Sequence, residues 1–90
     1  MNILEKANKI VYERAEEKNR QYGPFIEGMQ RAAKIYSGMT GKEATADDMY
    51  KALIALKLSR QSYNHKEDNI LDAIAYLASL NDFLNQKLKK

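Results

Sequence analysis

The sequence predicts an all-α bundle of about four helices that associates with copies of itself. Three observations carry this. Apolar residues recur at three- and four-residue spacing through most of the chain. The single proline and the glycines punctuate the expected joints. The β-branched residues are few and never alternate with polar ones, so no strand can be placed.

The first helix is expected over about 3–18. Ile3, Leu4, Ala7, Ile10 and Val11 fall on one face, and Asn2 caps it with Glu5 in the capping-box position. Asn19 to Gly23 forms a joint, and Pro24 suits the first turn of a second helix over 24–37, where its missing N–H costs nothing. Phe25, Met29, Ala32, Ala33 and Tyr36 make its stripe. That helix is expected to stop near Gly38, with Gly38 and Gly41 in the following loop available for positive φ.

Thr45 caps a third helix over 45–61, with Asp48 in the capping-box position and Asp47 near the positive end of the dipole. Met49, Leu53, Leu56 and Arg60 lie on one side of it, Ile54 and Leu58 on another. The fourth helix, over 66–87, has two stripes. Ile70, Ile74, Leu77 and Leu84 form one; Ala73, Tyr76, Leu80 and Phe83 form the other. A monomeric bundle needs one buried stripe per helix. The surplus predicts a homo-oligomer that uses the third and fourth helices as its interface.

Ninety residues make a single domain, 1–90, near the small end of what folds alone. With no cysteine, disulfides and thiolate metal sites are excluded, and a lone His65 argues against a histidine-based one. No apolar run approaches the roughly 18–20 residues that span a bilayer. Met1-Asn2-Ile3 turns charged at Glu5 and Lys6, unlike a signal peptide, so the expectation is a cytoplasmic protein. The formal charge of +3 owes much to Lys87, Lys89 and Lys90. It permits an anionic ligand without the basic stripe that DNA or RNA binding needs.

Chemistry-bearing residues cluster in three places. Glu13 and Glu16 on the first helix, with Asp68 and Asp72 on the fourth, have spacings that can hold Mg²⁺ between two helices. This is similar to the all-α nucleotide pyrophosphohydrolases of the MazG and dimeric dUTPase type, which pair Glu-x-x-Glu with Glu-x-x-Asp. The second motif is absent here. Glu13 and Glu16 also sit among Arg14, Glu17 and Lys18, the pattern of a solvated face. Glu67 and Asp68 suit a helix N-terminus without any metal.

Lys57 and Arg60, three apart near the end of the third helix, form the second cluster. As structural residues they complement the dipole and pair with Asp68 or Asp72. As functional residues they make a phosphate clamp, a point charge beside a rigid fork. Asp72, among Leu71, Ala73, Ile74 and Tyr76, is expected to be partly buried and then needs a cation. Tyr63-Asn64-His65 is a polar joint within reach of a ligand held at Arg60.

The third is Arg20-Gln21-Tyr22-Gly23-Pro24-Phe25, which puts a guanidinium and two rings at a helix entry. The residues themselves favour a corner in which Tyr22 and Phe25 staple the helix to the core. The alternative is stacking on a base with an anion at the helix start. No nucleophilic triad and no Gly-rich phosphate loop is present.

Arg20-x-Tyr22-Gly23-x-x-x-x-Gly28, Thr45-x-x-Asp48, Leu56-Lys57-Leu58-x-Arg60 and Asp68-x-x-x-Asp72-x-x-x-Tyr76 together resemble a family of small phage proteins catalogued as a domain of unknown function. We read the resemblance as one to phage anti-CBASS sponge proteins. CBASS is a bacterial defence in which a cyclic-nucleotide signal activates a killing effector. The resemblance implies a non-enzymatic homo-oligomer, a tetramer, that binds cyclic dinucleotides such as 3′,3′-cyclic GMP–AMP in the infected host cell. No cofactor is implied. The expected ligand-binding residues are Arg20, Tyr22, Phe25, Lys57, Arg60 and Tyr63, supported by Asp72 and Tyr76. The competing expectations are the Mg²⁺-dependent pyrophosphohydrolase and a helical adaptor whose spare stripes bind a host protein.

Overall fold

A computed structural model describes residues 1–13 and 24–88, without the side chains of residues 13, 87 and 88. The described residues form four helices and no strand: α1 (Ile3–Asn8), α2 (Phe25–Thr40), α3 (Ala46–Tyr63) and α4 (Glu67–Leu88). None of these helices is long and apolar enough to cross a membrane.

Local signals fix most helix ends. Asn2 caps α1 through its side chain, which accepts from the Glu5 N–H at 2.9 Å, and Glu5 completes the capping box. Thr45 and Asp48 form the same device at α3, the Thr45 N–H donating to Asp48 at 2.9 Å. That bond, with a second from Thr45, holds the exposed Asp48 carboxyl below its usual range.

Three boundary expectations are corrected. The first helix turns from α to a π-helical segment at Lys9–Glu13, a widened turn that apolar periodicity cannot announce. Residues 14–18 of the expected helix lie outside the described ones. Pro24 is the N-cap of α2 rather than its first helical residue. And α2 runs past Gly38 to Thr40, ending at Gly41, whose φ of 72° is left-handed. Gly38 stays helical because the hydrogen-bond ladder outweighs its cost of about 1 kcal/mol. Gly41 then stops the helix by donating its N–H to the Ser37 carbonyl. The Ser37 hydroxyl stitches this end to the next segment, donating to the Ala33 carbonyl and accepting the Ala44 N–H.

Packing centres on α4. Helix α3 lies against it in antiparallel sense, since Tyr50 meets Ser79 and Lys57 meets Asp72. Helix α1 and the π segment lie along α4 in parallel sense, tied by Lys6–Glu67 at 2.7 Å and by the Tyr12 hydroxyl donating to Asp82 at 3.1 Å. Helix α2 packs on α3.

The core is built of small side chains around one ring. Ala7, Ala33, Ala46, Ala73 and Ala75 are buried, and Tyr50 is completely so. Burial pushes the Tyr50 hydroxyl's pKa up, and its 2.7 Å bond to Ser79 satisfies the group. Large apolar residues remain on the outside of every helix: Leu4 on α1, Ile35 and Met39 on α2, Leu56 and Leu58 on α3, Leu77 and Leu84 on α4.

Candidate functional site

Helix α3 presents Lys57, Arg60 and Tyr63 at successive three-residue steps, so the three side chains climb one flank of its last two turns. Their environments differ. Lys57 is the innermost. Its ammonium lies 2.9 Å from Asp72 on α4, and the two side chains are 17% and 35% exposed. Arg60 is exposed and makes no ion pair among the described residues. It sits in the last turn of α3, where the partial negative charge of the helix end complements a cation. Tyr63 is 94% exposed, with its ring in solvent.

The structure shows one of the pairings that the sequence left open. Lys57 pairs internally, and its partner is Asp72 rather than Asp68. Asp72 is half-buried and neutralised by a cation, as its apolar neighbours on α4 require. Arg60 and Tyr63 are left as an exposed guanidinium and an exposed ring one helical turn apart. Such a pair can offer a fork to a phosphate oxygen and a π-face to a base.

The segment that follows α3 is organised by Gln61. Its amide nitrogen meets the Nδ1 atom of His65 at 2.6 Å, and its amide oxygen accepts the Lys66 N–H at 3.1 Å. The Asn64 N–H closes the helix on the Arg60 carbonyl. Nothing in the hydrophobic pattern marks Gln61; only its position one turn before a joint hints at it.

Phe25 and Tyr76 belong to a different place. The Phe25 ring stacks on Tyr76 with centroids 5.9 Å apart and planes 9° apart, and meets the edge of Tyr50 at 5.7 Å. Tyr50 continues the cluster to Phe83 at 6.2 Å. Phe25 therefore pins the start of α2 to α3 and α4, the Phe25 half of the expected corner. Its ring retains an exposed side. Arg20 and Tyr22 lie outside the described residues, as do Glu16 and the Glu13 side chain.

An open groove of about 790 Å³ lies between α2 and the C-terminal part of α4, lined by residues that include Ile26, Gln30, Lys34, Phe83 and Gln86. None of the expected site residues among the described ones lines it. Its volume suits a small ligand, but the exposed cation and ring that the sequence singled out are elsewhere. Chemistry rather than concavity identifies the α3 end as the candidate site.

Two further carboxylates sit near this end. Glu67 begins α4, and its hydrogen bond to Lys6 holds it below the usual carboxylate range. Asp68 follows it in the first turn, where an acid complements the dipole.

Residues 2–83 match the model of a family described as "Domain of unknown function (DUF6378)". No curated protein and no solved structure matches the chain.

Proposed function

We propose that this chain, which belongs to the DUF6378 family over nearly its whole length, captures cyclic dinucleotides without cleaving them. On this reading it is a phage sponge that withholds a signal such as 3′,3′-cyclic GMP–AMP from a CBASS effector in the host cytoplasm. The observation that carries the reading is the pairing at the end of α3 of an exposed Arg60 with an exposed Tyr63. Arg60 supplies the fork for a phosphodiester and Tyr63 the stacking face. Lys57, whose ammonium is engaged by Asp72, would reach the ligand only through a shared N–H donor of that ion pair. Arg20 and Tyr22 are proposed as further contacts, and Phe25, stacked on Tyr76 in a cluster apart from Arg60 and Tyr63, as one made through its exposed side.

The active form is proposed to be a homo-oligomer, a tetramer, with α3 and α4 at the interface. Leu56, Leu58, Leu77 and Leu84 support this, since all four remain exposed in the single chain. Removing such leucines from water by association is favourable by about 25 cal/mol per Å² of apolar surface. The experiment is calorimetric titration with 3′,3′-cyclic GMP–AMP, repeated on Arg60→Ala. Binding that disappears in the variant, at unchanged helicity and oligomeric state, supports the reading. Binding unchanged in the variant removes Arg60 from the site.

A helical adaptor is the second reading, favoured by Ile35, Tyr36 and Met39 exposed together on α2. It expects apolar-dye binding to the isolated protein at all concentrations and no nucleotide affinity.

A further inference from the structure

We infer that Gln61 and His65 form a proton-sensitive clasp across the joint between α3 and α4. The Gln61 amide oxygen is committed to the Lys66 backbone N–H at 3.1 Å. The amide nitrogen, which can only donate, therefore faces His65 Nδ1 at 2.6 Å. With the amide in this orientation the contact is a hydrogen bond only if Nδ1 accepts, which the neutral ring protonated on Nε2 allows. Protonating the ring puts an N–H against an NH₂ group. Turning the amide over does not rescue the clasp, because the NH₂ then meets the Lys66 N–H. One of the two bonds is lost either way.

Charges of both signs flank His65 along the chain: Arg60 and Lys66 are cations, Glu67 and Asp68 at the start of α4 are carboxylates, and Glu67 is engaged by Lys6 at 2.7 Å. The clasp spans the stretch that contains Tyr63 and follows Arg60 directly. Its opening frees the chain between α3 and α4 without breaking the Lys57–Asp72 pair. The sign follows: the clasp is closed where the imidazole is neutral and open where it is charged.

The test is a two-dimensional NMR titration of the ligand-free protein between about pH 8 and pH 5, the range over which histidines change charge. It follows the His65 ring, the Gln61 side-chain amide and the Lys66 backbone amide together. The expected result is one shared inflection for all three. In His65→Ala the Gln61 and Lys66 signals should no longer titrate. A ring that titrates while the Gln61 and Lys66 signals stay fixed overturns the clasp, as does the same Lys66 titration in His65→Ala. No nucleotide enters this measurement, so its outcome is independent of the sponge reading.

Discussion

Lys57 on α3 reaches Asp72 on α4 across 2.9 Å, and both side chains are partly withdrawn from water. The pair joins the two helices that pack most closely, beside the exposed Arg60. Lys57→Met should cost about 1 kcal/mol in urea unfolding, because it keeps the aliphatic stem but leaves Asp72 uncompensated. The double variant Lys57→Met/Asp72→Asn should lose less than the sum of the singles. Strict additivity would show that the two groups are solvated independently.

Tyr50 is the one large side chain wholly buried among the described residues, and its hydroxyl is bonded to Ser79. Tyr50→Phe keeps the ring cluster and strands Ser79, at a cost of about 1 kcal/mol. Tyr50→Ala removes the hub that Phe25 and Phe83 share, at about 3–5 kcal/mol. In a domain of this size that loss should abolish the cooperative thermal transition. Circular dichroism melts of the two variants check both statements.

Two glycines should respond in opposite directions. Gly38 is helical, and a Cβ there meets no atom within 4 Å, so Gly38→Ala should stabilise by about 0.5–1 kcal/mol. Gly41 has φ 72°, so Gly41→Ala should destabilise by about 1–2 kcal/mol although the space around it is equally open. Urea midpoints of the two variants on opposite sides of the parent's would bear this out. A stabilising Gly41→Ala would contradict the left-handed end of α2.

Much of this fold was legible in the sequence because its signals are local. Asn2 with Glu5 and Thr45 with Asp48 announce two helix starts through side chains three residues apart, and both boxes form. The need of Asp72 for a cation followed from its apolar neighbours. Other features depend on contacts distant in sequence or on backbone competition. Gly38 and Gly41 look alike in sequence; only the ladder decides which one ends the helix. The π segment at Lys9–Glu13 preserves the apolar pattern while changing the turn. Tyr12 finding Asp82, and Tyr50 finding Ser79, are tertiary pairings that no spacing rule contains. At the candidate site the sequence named Lys57, Arg60 and Tyr63 but left open which cation is internal, and it passed over Gln61.

Acid should weaken the molecule through Asp48 and Glu67. Backbone and side-chain bonds to Thr45 depress the pKa of Asp48 in the folded state, and Lys6 does so for Glu67. A depressed folded pKa means stability that is present above the unfolded value and lost as pH falls through the folded one. For carboxylates this places the loss below about pH 4. The Tm of the parent should fall there more steeply than that of Asp48→Asn or Glu67→Gln. Parallel curves for parent and variants would show that these carboxylates are not coupled to folding.

The most direct test of the sponge reading is calorimetric titration of the protein with 3′,3′-cyclic GMP–AMP, followed by heat denaturation and chromatography of the released nucleotide. The account predicts tight binding, loss of that binding in Arg60→Ala, and recovery of intact nucleotide. No heat of binding at two well-separated temperatures, or recovery of cleaved nucleotide, would contradict it.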